Sequence, residues 1–281
     1  MTERFILTVA CKDQPGIVHA VSEVLLEIGG NIAESQQFYS PDSGTFFLRI
    51  EADATGSFEE LEEKMAPVKE RFDMKLGLYR KSDKVRTLIM CSKDPRTLNE
   101  LLFNNHMGQL NIDVPLVVSN HQDLKQHAYF YGINFEQIPI TKDTKPEAEA
   151  RLLKIIDEYD IELVVLARYM QIFSDELTSK LAGKAINIHH SFLPAFKGAR
   201  PYHQAHERGV KLIGATAHYV TEDLDEGPII EQNVVRVTHS ESAAELVAIG
   251  RNVEGQTLSK AVQWHTDRRV LMDGNRTVVF S

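Results

Sequence analysis

The spacing of apolar residues changes several times along the chain, and each change predicts a different element of secondary structure. Within residues 1–81, short apolar runs alternate with two stretches whose apolar residues recur every three or four positions, as on one face of a helix. The predicted order is strand, helix, strand, strand, helix, strand, a ferredoxin-like βαββαβ unit. Strands are predicted at 4–10, 32–39, 45–51 and 74–80, and helices at 17–28 and 58–72.

A polar linker at residues 81–84 precedes a longer region in which strands and helices alternate. The prediction for this region is strands at 86–91, 112–119, 135–138, 163–167 and 185–189, helices at 96–105, 123–131, 147–159, 174–181 and 202–208, antiparallel strands at 212–219 and 229–237, a helix at 242–265 and a hairpin at 270–272 and 277–280. Continuous apolar strands such as 163–167 are typical of parallel sheets covered on both faces. The predicted fold class is α/β, with a ferredoxin-like domain at 1–81 and a doubly wound, mostly parallel domain at 85–281.

Composition narrows the classes of function. The formal net charge is -9 and the basic residues are scattered, which argues against a nucleic-acid partner. No apolar run approaches the length of a membrane span, so we expect no membrane partner. Two cysteines, Cys11 and Cys91, lie far apart, which favours a protein of the reducing cytoplasm.

Acid–base residues are concentrated between residues 184 and 231. Apolar and polar residues alternate from Ala185 to His189, so Asn187 and His189, and Ser191 if the strand continues, are predicted to share one face. An amide donor aimed at a developing oxyanion is worth roughly 3–4 kcal/mol, and histidine moves protons near neutral pH. The alternative interpretation is a structural Asn–His pair.

Other residues that are capable of metal binding or catalysis can also be explained by structural roles. His203 and His206 lie three apart on a predicted helix, a spacing compatible with a metal, but no His-Glu-x-x-His or paired-cysteine framework accompanies them, so no metal site is predicted. Asp225 lies in the acidic turn 222–227, which by itself indicates a solvated loop and lacks the spacing of a calcium loop. Cys91 is predicted to be a buried small side chain. His190 is predicted to point away from His189 and to pack behind it.

Three motifs in fixed order resemble the folate-dependent formyltransferase family. They are Asn187-x-His189 with Ser191-x-Leu193-Pro194, then Gly198-x-x-Pro201-x-x-Gln204-Ala205, then Asp223-x-Asp225-x-Gly227-Pro228. The adjacent pair His189-His190 and the N-terminal unit, which resembles an ACT domain, indicate the deformylases of that family. The resemblance spans most of the chain from about Val85 onward.

The resemblance implies roles for individual residues. Catalysis falls to Asn187, His189 and Asp225. The pterin is expected at the loops 168–172 and 220–225, and the implied substrate-binding residues are Arg168, Tyr169, Met170, Gln171, Ile172, Ser191, His218, Val220, Thr221 and Asp223. The ACT-like domain implies a small amino acid bound at Asp13, Gly16, Asn31 and Ile32, and a homo-oligomer, dimer or tetramer. Residues 13–16 also fit an ordinary turn that starts a helix, and 168–172 fit an ordinary loop after a strand.

The implied formyl donor is 10-formyltetrahydrofolate, and the acceptor is chosen by elimination. A ribonucleotide acceptor needs a glycine-rich phosphate cradle, but Cys91-Ser92-Lys93-Asp94-Pro95 has no glycine and Asp94 would repel a phosphate. An RNA acceptor needs a basic domain, and this chain is acidic. We therefore expect hydrolysis to formate and tetrahydrofolate, without a permanently bound cofactor, that supplies formate for purine synthesis and one-carbon balance. The alternatives are transfer to a small amine and a non-catalytic folate or amino-acid sensor.

Overall fold

The structure, a computed structural model, describes residues 2–193 and 201–281. The chain forms two compact units, one made of the residues up to Lys84 together with Asp267–Ser281, the other of Val85–Thr266. The prediction assigned all residues from 85 to 281 to the second domain. In the structure the last fifteen of them, Asp267–Ser281, belong to the first unit instead. No helix within the described ranges is both long enough and apolar enough to cross a membrane.

The first unit has the predicted βαββαβ order. Its elements are β1 (Glu3–Lys12), α1 (Ile17–Glu27), β2 (Asn31–Ser40), β3 (Thr45–Ala54), α2 (Phe58–Arg71) and β4 (Lys75–Arg80), and its antiparallel sheet has the strand order β2-β3-β1-β4. Alternate residues of β1, such as Phe5 and Leu7, pack with Val21 and Leu25 of α1 in a buried core. The hydroxyl of Ser57 accepts a hydrogen bond from the amide of Glu60 at 3.1 Å, which fixes the start of α2.

Charged residues explain why the end of the chain belongs to the first unit. Arg49 of β3 is 1% exposed, and its guanidinium donates to the carboxylate of Glu34 at 2.6 Å and to the carbonyl of Asp267 at 3.0 Å. Arg269 donates to Glu34 as well, at 2.9 Å. The hairpin β12 (Val270–Asp273) and β13 (Arg276–Val279) follows. Hydrophobic patterning does not predict this attachment, because these contacts are polar and join residues far apart in the sequence.

The second unit is built on a seven-stranded sheet. Its elements are β5 (Val85–Cys91), α3 (Pro95–His106), β6 (Ile112–Ser119), α4 (Lys125–Phe130), β7 (Asn134–Gln137), α5 (Lys145–Glu158), β8 (Leu163–Ala167), α6 (Asp175–Lys180), β9 (Ala185–His189), α7 (Pro201–Glu207), β10 (Leu212–Tyr219), β11 (Ile229–Arg236) and α8 (Ala243–Thr266). The strand order is β11-β10-β9-β8-β5-β6-β7. Strands β5 to β9 are parallel, and β10 and β11 extend the same sheet in antiparallel fashion. The α/β prediction is confirmed.

The topology marks the place for a ligand. Strand β5 lies between β6 and β8, so the connections that leave β5 and β8 turn to opposite sides of the sheet. Ligands of such sheets bind beyond the carboxyl ends of the strands at this reversal. The residues that follow those two strand ends are 92–94 and 168–174. The backbone amide of Met170 donates to the hydroxyl of Ser92 at 3.0 Å, which ties the two segments together.

Candidate active site

The site begins at the pairing of β9 with β10. Asn187 and His218 lie opposite each other in this antiparallel pair, with 3.4 Å between Asn187 Nδ2 and His218 Nε2. His189, two residues further along β9, projects to the same face as Asn187, as the sequence predicted. Asp225 lies in the turn after β10, with a left-handed φ of 59°. The strand pairing and this turn bring an amide, two imidazoles and a carboxylate together.

Asp225 contacts both imidazoles. Its Oδ2 lies 3.0 Å from His189 Nδ1, and its Oδ1 lies 3.7 Å from His218 Nε2. Burial by itself raises the pKa of Asp225, but the hydrogen bonds from His189 and His218 outweigh burial and hold the pKa well below its usual range. Asp225 is therefore a carboxylate throughout the neutral pH range. His189 Nε2 is buried and has no hydrogen-bond partner among the residues described.

A cavity of about 670 Å³ opens beside these groups, within the range of pockets that enclose small ligands. Asn187, His189 and Asp225 line this cavity, together with eight of the ten predicted substrate-binding residues, Arg168, Tyr169, Met170, Gln171, Ile172, His218, Val220 and Thr221. The exposed side chains of Met170, Ile172 and Leu224 give the cavity apolar walls. A flat heterocycle fits such walls, and the polar groups at one side can act on a carbonyl attached to it.

The sequence matches two family models, the formyl transferase family over residues 85–262 and the ACT domain family over residues 3–79. It is 51% identical, over 279 residues and 98% of each chain, to the formyltetrahydrofolate deformylase of Corynebacterium sp. (strain P-1). The chain belongs to the formyltetrahydrofolate deformylase family. The family resemblance stated from the motifs is confirmed.

Solved structures of this family and of transferases share the fold. The crystal structure of the formyltetrahydrofolate deformylase from Burkholderia mallei has a TM-score of 0.96 and 48% sequence identity, and the match covers 99% of this chain and 100% of that one. The glycinamide ribonucleotide transformylase 1 from Symbiobacterium toebii has a TM-score of 0.66 and 27% identity, with 73% of this chain and 98% of that one covered. The deformylase likeness therefore spans both units.

Two predicted substrate-binding residues lie outside the cavity. Ser191 is 5% exposed and lines a separate apolar cavity, because β9 ends at His189 and the alternation of faces stops there. Asp223 is exposed, and its carbonyl accepts a hydrogen bond from the Thr221 hydroxyl at 3.0 Å. Pro194 and the first three residues of the second motif, 198–200, lie outside the described residues.

His190 does not lie behind His189, contrary to the prediction. Its ring stacks on that of His189, with 5.1 Å between centroids and 22° between planes, and it lines the cavity. The prediction assumed a regular strand, but the strand ends before His190. Burial and the nearby charge of Arg168 lower the pKa of His190 to about 4. His190 is therefore a neutral imidazole at physiological pH.

The structure also bears on the two other kinds of site considered from the sequence, a metal site and a cysteine nucleophile. Within residues 2–193 and 201–281, no group of three or more His, Cys, Asp or Glu side chains could hold a metal ion. Cys91 is fully buried, and burial raises its pKa to about 12, which rules out a thiolate nucleophile and confirms the prediction of a buried small side chain. Cys11 and Cys91 are both free thiols; the reducing compartment stays a prediction.

Sequence reasoning missed a group of residues on two helices. Glu254 of α8 is 0% exposed, accepts a hydrogen bond from the Tyr202 hydroxyl at 2.6 Å, and lies 3.2 Å from Arg168 Nη1. Arg251, one turn earlier, pairs with Asp94 at 2.8 Å. The sequence contained a pattern that could have revealed Glu254. The buried face of α8 carries residues at helical spacing, Gly250, Val253, Glu254 and Leu258, and a lone carboxylate on such a face is unusual.

The predicted effector residues do not meet within one chain. Asp13 and Gly16 follow the end of β1, whose Lys12 pairs with Thr45, whereas Asn31 pairs with Asp53 at the other end of β3. The two ends lie eight residue steps apart along β3, from Thr45 to Asp53, which is roughly 25 Å. All four residues, Ile32 included, are exposed. A ligand that touches both pairs needs a second copy of the unit.

Proposed function

We propose that this protein hydrolyses 10-formyltetrahydrofolate to formate and tetrahydrofolate, with water as the nucleophile and no bound cofactor. The observation that carries the proposal is the 3.0 Å contact between His189 and Asp225, beside Asn187, on the wall of a cavity with apolar loops. Membership of the deformylase family and the names of the relatives support the same reaction.

The pterin ring lies between the loops 168–172 and 220–225, with the N10 formyl group beside Asn187 and His189. In this position the Asn187 amide donates to the formyl oxygen as negative charge develops there. A preorganised donor of this kind contributes about 3–4 kcal/mol to the stability of the transition state. His189 faces Asp225 through Nδ1, so its buried Nε2 is the ring nitrogen left to transfer a proton to the substrate.

Water attacks the formyl carbon while Asp225 accepts a proton from the water, directly or through a second water. A carboxylate with a lowered pKa is a weak base, so the proton moves late, when the attacking oxygen has already gained positive charge. The tetrahedral intermediate collapses when the C–N10 bond breaks and N10 takes a proton from His189. The proton on Asp225 then passes to His189 across their 3.0 Å contact, formic acid releases its remaining proton to the solvent, and formate and tetrahydrofolate leave.

We also propose that the ACT unit binds a small amino acid at a contact between two copies and adjusts the supply of formate for purine synthesis. Asp13 and Gly16 of one copy and Asn31 and Ile32 of another would complete the site. Strand β2 is an edge strand with Ile32, Phe38 and Tyr39 exposed, which supports its pairing with a second copy. The expected assembly is a homo-oligomer, a dimer or a tetramer.

The test is the absorbance change of purified protein mixed with 10-formyltetrahydrofolate, without an added amine or metal. We expect steady release of tetrahydrofolate and formate. Asp225→Asn should lower kcat by about 10³-fold with little change in KM, as for loss of a general base. Asp157→Asn makes the same chemical change at an exposed position of α5 outside the cavity, so its kcat should stay near that of the unmodified protein.

Three results would count against hydrolysis at this site. Turnover that requires an amine would indicate a transferase, and the likeness to a glycinamide ribonucleotide transformylase keeps that candidate open. Binding of the folate without turnover under any condition would indicate a sensor. Equal loss of turnover and folate binding in Asp225→Asn would assign Asp225 a structural role.

A further inference from the structure

A second cavity adjoins the candidate active site. It encloses about 390 Å³ beyond the carboxyl ends of β5 and β6, and its lining includes Ser92, Lys93, Asp94, Asn120 and His121. Four residues line both cavities: Arg168, Met170, Gln171 and Arg251. These four residues therefore form a common wall between the formyl site and a polar space large enough for a small molecule.

Arg168 is the residue of this wall that pairs with a fully buried carboxylate. It follows β8 with a left-handed φ of 61°, and its amide donates to the carbonyl of Leu166 at 3.1 Å. Its Nη1 lies 3.2 Å from Oε2 of Glu254, and the other carboxyl oxygen accepts the hydroxyl of Tyr202 at 2.6 Å. Because Glu254 is 0% exposed and lies within helix α8, the guanidinium is anchored to a fixed point.

This arrangement is unfavourable in three respects. A non-glycine residue with a left-handed φ is strained, and Glu254 is a carboxylate without access to water. Arg168 Nε and Nη1 are buried without a hydrogen-bond partner among the described residues, and so is Glu254 Oε2, because the ion pair lacks hydrogen-bond geometry. Unsatisfied polar atoms and strain in the same residue, at the edge of a site, indicate a role in function.

We propose that Arg168, held by Glu254, determines the acceptor: its side chain separates the formyl group from the second cavity and prevents an amine from reaching the formyl carbon. Water needs no access through the second cavity, because it fits between the formyl group and Asp225. The proposal rests on the hydrolysis proposed above. The family resemblance implies only that Arg168, within the loop 168–172, contacts the pterin. The proposal adds that Arg168 prevents transfer of the formyl group to an amine.

The reaction that Arg168 prevents is balanced without further reactants. The amine nitrogen attacks the formyl carbon, the C–N10 bond breaks, and the proton lost by the amine passes through Asp225 and His189 to N10. The products are a formamide and tetrahydrofolate. Hydrolysis and transfer therefore share the same catalytic groups and differ only in which nucleophile can approach.

The test replaces Arg168 by glycine and offers a small primary amine. Arg168→Gly removes the Arg168 side chain from the wall, and glycine adopts a φ of 61° without strain. The protein is mixed with 10-formyltetrahydrofolate and glycinamide, and N-formylglycinamide and formate are quantified by mass spectrometry. Unmodified protein should yield formate alone. The variant should raise the ratio of N-formylglycinamide to formate by about tenfold or more, the usual effect of one lost discriminating contact.

Two further variants keep the result interpretable. Asp160→Gly also introduces glycine at a left-handed position, φ 50°, but Asp160 lines neither cavity, so its products should remain those of hydrolysis. If Arg168→Gly does not fold because Glu254 loses its cation, Arg168→Gly/Glu254→Gln removes the unpaired charge and keeps an acceptor for the Tyr202 hydroxyl. The double variant should give the same increased ratio.

The outcomes separate the two proposals. Formate as sole product from a folded Arg168→Gly or from the double variant overturns the role of Arg168, while hydrolysis by the unmodified protein stands. Transfer to glycinamide by the unmodified protein also overturns it. Failure of both variants to fold would assign the Arg168–Glu254 pair to stability and overturn it too. Absence of hydrolysis in the unmodified protein rejects the proposed function itself.

Discussion

Glu51 in the first unit and Glu254 in the second are both buried, 4% and 0% exposed, but they differ in their surroundings. Glu51 contacts Arg4, Arg49 and Lys81 at 3.4, 3.2 and 2.5 Å. Burial raises the pKa of Glu51, but the hydrogen bonds from Lys81 and Arg49 outweigh burial, and the net pKa is lowered. For Glu254 burial outweighs the attraction of its cation, and the pKa is raised.

The two carboxylates belong to networks of different kinds: that of Glu51 stabilises the fold, and that of Glu254 lies at the candidate site. Six buried side-chain atoms in the described parts of the chain lack a hydrogen-bond partner, and four of them belong to Arg168, His189 and Glu254. Arg49, by contrast, donates to two carboxylates and a carbonyl. A satisfied network holds a fold together, whereas unsatisfied polar atoms beside a cavity are available to a ligand or a proton. Three experiments test whether the two networks differ in this way.

The largest effect is expected for Glu51→Gln. Removing the anion leaves the buried Arg49 guanidinium with one partner fewer, which should lower the free energy of unfolding by about 3 kcal/mol. Urea unfolding followed by far-UV circular dichroism at pH 7 measures the change. Asp53→Asn is the matched control, since Asp53 pairs with Arg4 at the surface, and its loss should be much smaller. Equal losses in the two variants would show that the buried network is no special source of stability.

A comparable effect is expected from the neutral state of His190. Its pKa is lowered to about 4 by burial, by Arg168 and by His189, while Asp225 opposes the shift. The unfolded chain then binds a proton that the folded chain does not, so stability is complete above about pH 6.5 and falls as the pH decreases toward 4. The loss should reach about 3 kcal/mol at pH 4. His190→Gln should remove this part of the pH dependence, and parallel curves for both proteins would contradict the buried neutral imidazole.

The smallest effect is expected for Glu254→Gln. Because the pKa of Glu254 is raised, the folded chain holds the proton of this carboxyl more tightly than the unfolded chain does. The resulting contribution to the free energy of unfolding is complete below about pH 4 and decreases as the pH rises. Glutamine keeps an acceptor for Tyr202 and carries no charge, so the free energy of unfolding at pH 7 should change by less than about 1 kcal/mol. The same urea experiment tests this. A loss as large as that of Glu51→Gln would mean that both networks are structural.

The order of elements and much of the site could be predicted from local sequence. The βαββαβ unit and the alternating strands and helices follow from apolar spacing, because burial on one face imposes a period on the chain. Asn187 and His189 were predicted to share a face because a strand alternates. The prediction for His190 was wrong because the strand ends at His189. Ser191 was to share the face only if the strand continued, and the end of a strand depends on its neighbours rather than on its own residues.

Residue patterns along the chain were enough to predict the elements, the family and the polar residues of β9 and of the turn after β10. Packing determines which of these residues meet: Asp225 rather than Asp223 faces His189, and the terminal hairpin belongs to the first unit. It also decided that Arg168 is held by Glu254, 86 positions further along the chain. The physical reason is range. Apolar periodicity depends on residues that are neighbours in the sequence. Ion pairs and cavities are formed by residues that come together only when distant elements pack.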